Sequence, residues 1–169
     1  DGAVVIRGEN TMELAEIGKN ILTNCMNVKP GENVLIVTDD EKYAIGQALY
    51  QAAKLLKAEA MLMTMPAREV SGQEPPAVVA AAMKAADVVI CPMKTSITHT
   101  RAKIEAAEAG ARIATMPGIT EEMFAMGAMT ADYSRVMALT EQVTDLLTNA
   151  NTARIEKDGH VLTLDLRGR

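Results

Sequence analysis

The chain has 169 residues, enough for one ordinary domain, or for one domain and the beginning of another. Hydrophobic residues make up 49% of it, sufficient for a core without disulfides or metals, and a net charge of −5 with no basic stripe argues against nucleic acid. No apolar run approaches the ~20 residues that span a bilayer, no signal-peptide pattern opens the sequence, and the two cysteines sit in apolar contexts that suit buried, reduced thiols, so a cytoplasmic protein is expected.

With one Phe, three Tyr and no Trp, the core must be filled by aliphatic residues and by twelve Met, which pack adaptably. Asn10 and Glu13 have the spacing of a capping box. Leu14, Ile17, Ile21, Leu22 and Cys25 then recur at helical intervals, predicting an amphipathic helix that Pro30-Gly31 ends. Residues 33–38 (N-V-L-I-V-T) are apolar on both faces, as a buried parallel strand requires. Asp40 is placed to cap a helix whose inner face is Ile45, Leu49, Ala52, Ala53 and Leu56. Residues 59–65 read as the second strand, and a polar loop, R-E-V-S-G-Q-E-P-P, leads into an Ala-rich helix over 76–86. Residues 87–91 and 112–116 form strands three and four, joined by a helix over 98–109 with Gly110 at its left-handed end.

Alternating strands and helices predict an α/β fold, a three-layer Rossmann-like parallel sheet in the order 2-1-3-4. A long helix over 130–149 follows, with Tyr133, Val136, Met137, Thr140, Val143 and Leu147 on its inward stripe. Strands over 152–156 and 160–166 are joined through Lys157-Asp158-Gly159, and Asp-Gly is a strong hairpin signal. Leu162, Leu164 and Leu166 alternate with polar residues, leaving an apolar face with nothing to cover it. The expected division is an α/β amino-terminal domain over 1–150 and the truncated start of a second domain over 151–169, or a dimer built on the hairpin.

In a 2-1-3-4 sheet, the loops after strands 1 and 3 open a crevice where ligands of such folds bind. They offer Thr38, Asp39 and Asp40 from one side, and Lys94, Thr95, Ser96, Thr98, His99 and Thr100 from the other. Hydroxyls, an imidazole and free N–H groups ahead of a helix suit an anion or carboxylate. The plainer reading is that these residues are helix caps. A receiver-domain site is excluded because strand 3 ends in Cys91-Pro92-Met93, with no phosphoacceptor carboxylate. No G-x-G-x-x-G or G-x-S-x-G occurs, and His99 and His160 are the only histidines, without H-E-x-x-H or C-x-x-C. The residues alone contain no complete catalytic site and no metal site.

Several motifs carry a family likeness: V-K-P-G-E-N-V-L-I-V-T-D from Val28, A-D-V-V-I-C-P from Ala86, S-I-T-H-T-R-A-K-I-E-A from Ser96, G-A-R-I-A-T-M-P-G-I-T-E-E-M-F from Gly110 and M-T-A-D-Y from Met129. Together with the closing D-G-H-V-L-T-L-D-L-R-G-R from Asp158, they resemble the amino-terminal domain of the thermophilic metallo-aminopeptidase family. The resemblance implies a cytoplasmic hydrolase that removes N-terminal residues from peptides with two divalent ions, zinc or cobalt. Their ligands would lie in a carboxyl-terminal, metal-binding domain beyond Arg169, so this chain alone is expected to be inactive. The α/β domain would wall the substrate cleft and join a homodimer. A branch of the same superfamily comprises iron-dependent ring-cleaving dioxygenases acting on dihydroxypyridines. The alternatives are a free-standing module holding a small anion in the Asp39, Asp40, Lys94, Ser96, Thr98 and His99 crevice, or an oligomerisation domain.

Overall fold

Four short apolar runs, Asn33–Asp39 (β1), Glu59–Met65 (β2), Val88–Met93 (β3) and Arg112–Pro117 (β4), pair in parallel in the order β2-β1-β3-β4. The computed structural model describes residues 8–168, which fall into two units divided after Thr130. In the first unit the helices are Gly8–Asn24 (α1), Tyr43–Leu55 (α2), Ala77–Ala85 (α3), Arg101–Glu108 (α4) and Glu121–Ala125 (α5), followed by a 3-10 turn over Gly127–Thr130.

Because side chains alternate along a strand, β1 feeds two cores. Val34 and Ile36 join Leu22, Ile45, Leu49 and Phe124 under α1, α2 and α5. Leu35 and Val37 join Val79, Met83, Met93 and Ala106 under α3 and α4. Every residue of β3, and all of β1 after Asn33, is buried, whereas the edge strands β2 and β4 are mostly half-exposed. The expected α/β sheet and its order are therefore found.

Several local features depart from expectation. The first helix begins at Gly8, so Asn10 lies inside it and not at a capping position. The helix after β3 begins only at Arg101, because Thr100 is its cap and the preceding residues form a turn. The five-residue α5 was not anticipated; its Phe124 is fully buried. Of the two thiols, Cys91 is buried but Cys25 is exposed, just past the end of α1.

The second unit holds Tyr133–Asn149 (α6) and the antiparallel pair Thr152–Lys157 (β5) and His160–Asp165 (β6). Asp132 caps α6 by accepting from the N–H groups of Ser134 and Arg135. Lys157 pairs with His160, so the turn is the two residues Asp158 and Gly159, with φ of 50° and 78°, the double positive φ of a type I′ turn. On the stripe expected to face inward on α6, Tyr133 is half-buried and Val136, Met137, Thr140, Val143 and Leu147 are exposed, with Met137 at 58%, and the helix has no buried residue.

Candidate functional site

Pro92 is the last but one residue of the central strand β3, where it cannot donate a ladder hydrogen bond. Its carbonyl faces β1, yet the β1–β3 ladder stops at Ile36 and Ile90, short of the ends of both strands. Side chains bridge the gap. Thr38 Oγ1 donates to the Pro92 carbonyl at 3.0 Å, and the Lys94 N–H donates to Asp39 Oδ2 at 2.6 Å. The β3–β4 ladder, by contrast, runs on through Pro92 and Met93.

Asp39 is fully buried and its carboxylate is the hub of this edge. Besides Lys94, it accepts from the N–H groups of Glu41 and Lys42 through Oδ1, both at 3.1 Å. Asp39 therefore satisfies the donors ahead of α2. The capping role expected of Asp40 is not seen: the cap position is Lys42, without a side-chain bond, and Asp40 is exposed. Glu41, the third acid of the run Asp39-Asp40-Glu41, binds the Lys94 ammonium at 2.6 Å. That contact raises the Lys94 pKa above its ordinary value.

On the other side, Ser96 Oγ donates to Thr98 Oγ1 at 2.8 Å and accepts from the Thr98 N–H, and Thr98 Oγ1 shares a hydrogen bond of 2.9 Å with Thr115 on β4. The loop between β2 and α3 leans on this row. Gly72 N–H donates to the Ser96 carbonyl, and Ser71 Oγ accepts from the Ser96 N–H. Glu74 reaches the start of α4, where its carboxylate accepts from the N–H groups of Arg101 at 2.6 Å and Ala102 at 3.2 Å. The helix terminus that would have received an external anion thus holds a carboxylate of the chain itself. His99 is exposed beside it.

The structure thus brings Asp39 and Lys94 into direct contact, and groups Ser96 with Thr98. Asp40 and His99 lie on the rim. Sequence reasoning missed Glu41, Glu74 and Thr115, although the run D-D-E beginning at Asp39 and the acid just before Pro75-Pro76 were visible. A cleft of about 310 Å³ opens on the α2 side, lined by Glu41, Lys42, Ile45, Ile119, Thr120 and Glu121. Among the described residues, no group of three or more His, Cys, Asp or Glu side chains could hold a metal ion.

A family model described as 2,5-dihydroxypyridine 5,6-dioxygenase (NicX) matches residues 13–168. Among solved structures, the chain is similar to the 2,5-dihydroxypyridine dioxygenase from Pseudomonas putida KT2440, with a TM-score of 0.61 and 19% identity over 92% of this chain and 47% of that one. The chain thus spans about half the length of that enzyme. No curated protein sequence matches it. The family match corrects the likeness to metallo-aminopeptidases, and with it the hydrolase activity, the zinc or cobalt pair, and both the anion-module and oligomerisation-domain alternatives. The physical reason is where the motifs lie. They cover strands, turns and helices of the scaffold, such as β1, α4 and β4, and gather no set of metal ligands among the described residues.

Proposed function

The chain belongs to the 2,5-dihydroxypyridine 5,6-dioxygenase family, and on that footing we propose that it forms the α/β part of an enzyme that opens a hydroxylated pyridine ring. The family match over residues 13–168 carries the proposal. The reaction for which the family is named breaks the C5–C6 bond of the ring, and a dioxygenase places both atoms of O2 in its product. Ring-cleaving enzymes of this kind use iron. The described residues do not fit an iron centre, since they gather no trio of His, Cys, Asp or Glu. The role of this chain in the proposal is to bind and orient.

The crevice beyond β1 and β3 suits that role. Lys94 and His99 are exposed there, Ser96 and Thr98 are half-buried, and Asp39 holds the two loops together. Cation, imidazole and hydroxyl groups are appropriate partners for the ring hydroxyls of a planar aromatic substrate. A cytoplasmic setting belongs to the same proposal and is supported by the sparse cysteines.

The test uses the full-length gene product reconstituted with ferrous iron and supplied with 2,5-dihydroxypyridine and O2. One O2 taken up per ring lost, with both oxygen atoms recovered in the product, is expected. Ring loss without oxygen uptake, or no turnover of any hydroxylated pyridine, would overturn the proposal. In the active enzyme, His99→Ala and Ser96→Ala should raise KM roughly 3- to 10-fold, the loss of about one hydrogen bond each, with little change in kcat.

A further inference from the structure

One groove on the first unit lies away from the crevice. It has a volume of about 690 Å³ and lies along β2, where Leu35, Tyr50, Met61, Met63, Ala82 and Ala85 are among its lining residues. β2 is an edge strand, and among the described residues no strand pairs with its outer side. Its sequence, E-A-M-L-M-T-M, nevertheless reads as an interior strand, apolar on both faces. Edge strands are normally protected by an inward charge, a proline or a bulge. Between Ala60 and Met65 there is none of these, and Met61 is left 42% exposed.

We infer that the β2 edge is an interface with a second copy of this chain, formed by antiparallel pairing of two β2 strands about a two-fold axis near Leu62. The strand is self-complementary in that register. Met61 faces Met63 of the second copy, Ala60 faces Thr64, and Glu59 faces Met65, so no like charges meet. The extent is also sufficient. Seven residues give an edge ~23 Å long, and a helix–sheet–helix sandwich is ~30 Å thick. Their product, ~700 Å² per partner, is close to the ~800 Å² of a standard stable interface. The pairing satisfies the open backbone groups of β2 and makes one eight-stranded sheet from two four-stranded ones. It stands independently of the reaction the enzyme performs.

Sedimentation velocity on the full chain, with Met61→Lys as the disrupting variant, tests this. A dimer that Met61→Lys weakens by roughly tenfold or more, at unchanged far-UV circular dichroism, is the expected result. Cross-linking supplies a readout that does not depend on how that variant folds. Antiparallel partners lie ~4.5–5.5 Å apart at Cα, within disulfide reach. Leu62→Cys should therefore form an inter-chain disulfide under mild oxidation, and Glu59→Cys should not. A monomeric chain, a dimer indifferent to Met61→Lys, or equal cross-linking of the two cysteine variants would overturn the inference.

Discussion

Asp39 gathers three backbone N–H groups from two loops while fully buried. Removing its carboxylate leaves those donors without an acceptor, so Asp39→Ala should destabilise the chain by about 3–5 kcal/mol. Asp40→Ala, on the exposed neighbour, should stay within about 0.5 kcal/mol; urea denaturation followed by circular dichroism distinguishes the two. At the opposite end of the sheet, the Arg112 guanidinium beside Glu32 lowers the carboxyl pKa, and the Asn33 N–H groups do the same for Asp87. A carboxylate with a depressed folded pKa contributes stability above its unfolded pKa and loses it as pH falls through the folded value. Stability should therefore fall on acidification from about pH 5, with a shallower slope in Glu32→Gln and Asp87→Asn. Burial pushes the Cys91 thiol up to about 12, so iodoacetamide at mildly alkaline pH should leave it unmodified until the chain unfolds. The crevice was only partly legible at this scale. Residue type and position at the strand ends identified Asp39, Lys94, Ser96 and Thr98, but not that Asp39 bonds Lys94 or that Thr98 bonds Thr115, because those partners lie in separate segments.

Individual elements were more legible where one period governs them. β2 lies where its apolar run predicts, and the Asp158-Gly159 hairpin follows from its turn chemistry. The start of α4 was less so, since Ser96, Thr98 and Thr100 are all plausible caps and only the structure selects Thr100. The short α5 carries too few residues for a periodicity; its one signal was Thr120 ahead of Glu121 and Glu122, a cap followed by acids in the first turn. Contact between elements also sets substitutions. Gly46 on α2 lies against β1 so closely that a Cβ would stand 2.9 Å from the Thr38 side chain. Gly46→Ala gains about 1 kcal/mol in helix propensity, but overpacking costs about 1–3 kcal/mol. A small net loss of stability, lowering the melting temperature, is therefore expected, and Thr38→Ser in the same chain should relieve part of it.

At the scale of the molecule, the two units differ in how they are held. The first has two cores either side of its sheet, whereas in the second no side chain between Tyr133 and Asp165 is buried, with Leu162 at 53% exposure. Hydrogen exchange on this chain should proceed through α6, β5 and β6 well before β1 and β3, with the central strands exchanging last. The inward stripe expected on α6 was misread because an amphipathic pattern records that a face is apolar, not what covers it. The pairing of β1 with β3 also has a temporal side. It is clasped by Asn33 with Asp87 at one end and by Asp39 with Lys94 at the other, partners 54 and 55 residues apart. Neither clasp can close until the whole β2–α3 excursion has been synthesised. A nascent chain on the ribosome therefore carries β1 with one flank open until β3 emerges, and that interval is when a chaperone has an apolar strand to grip.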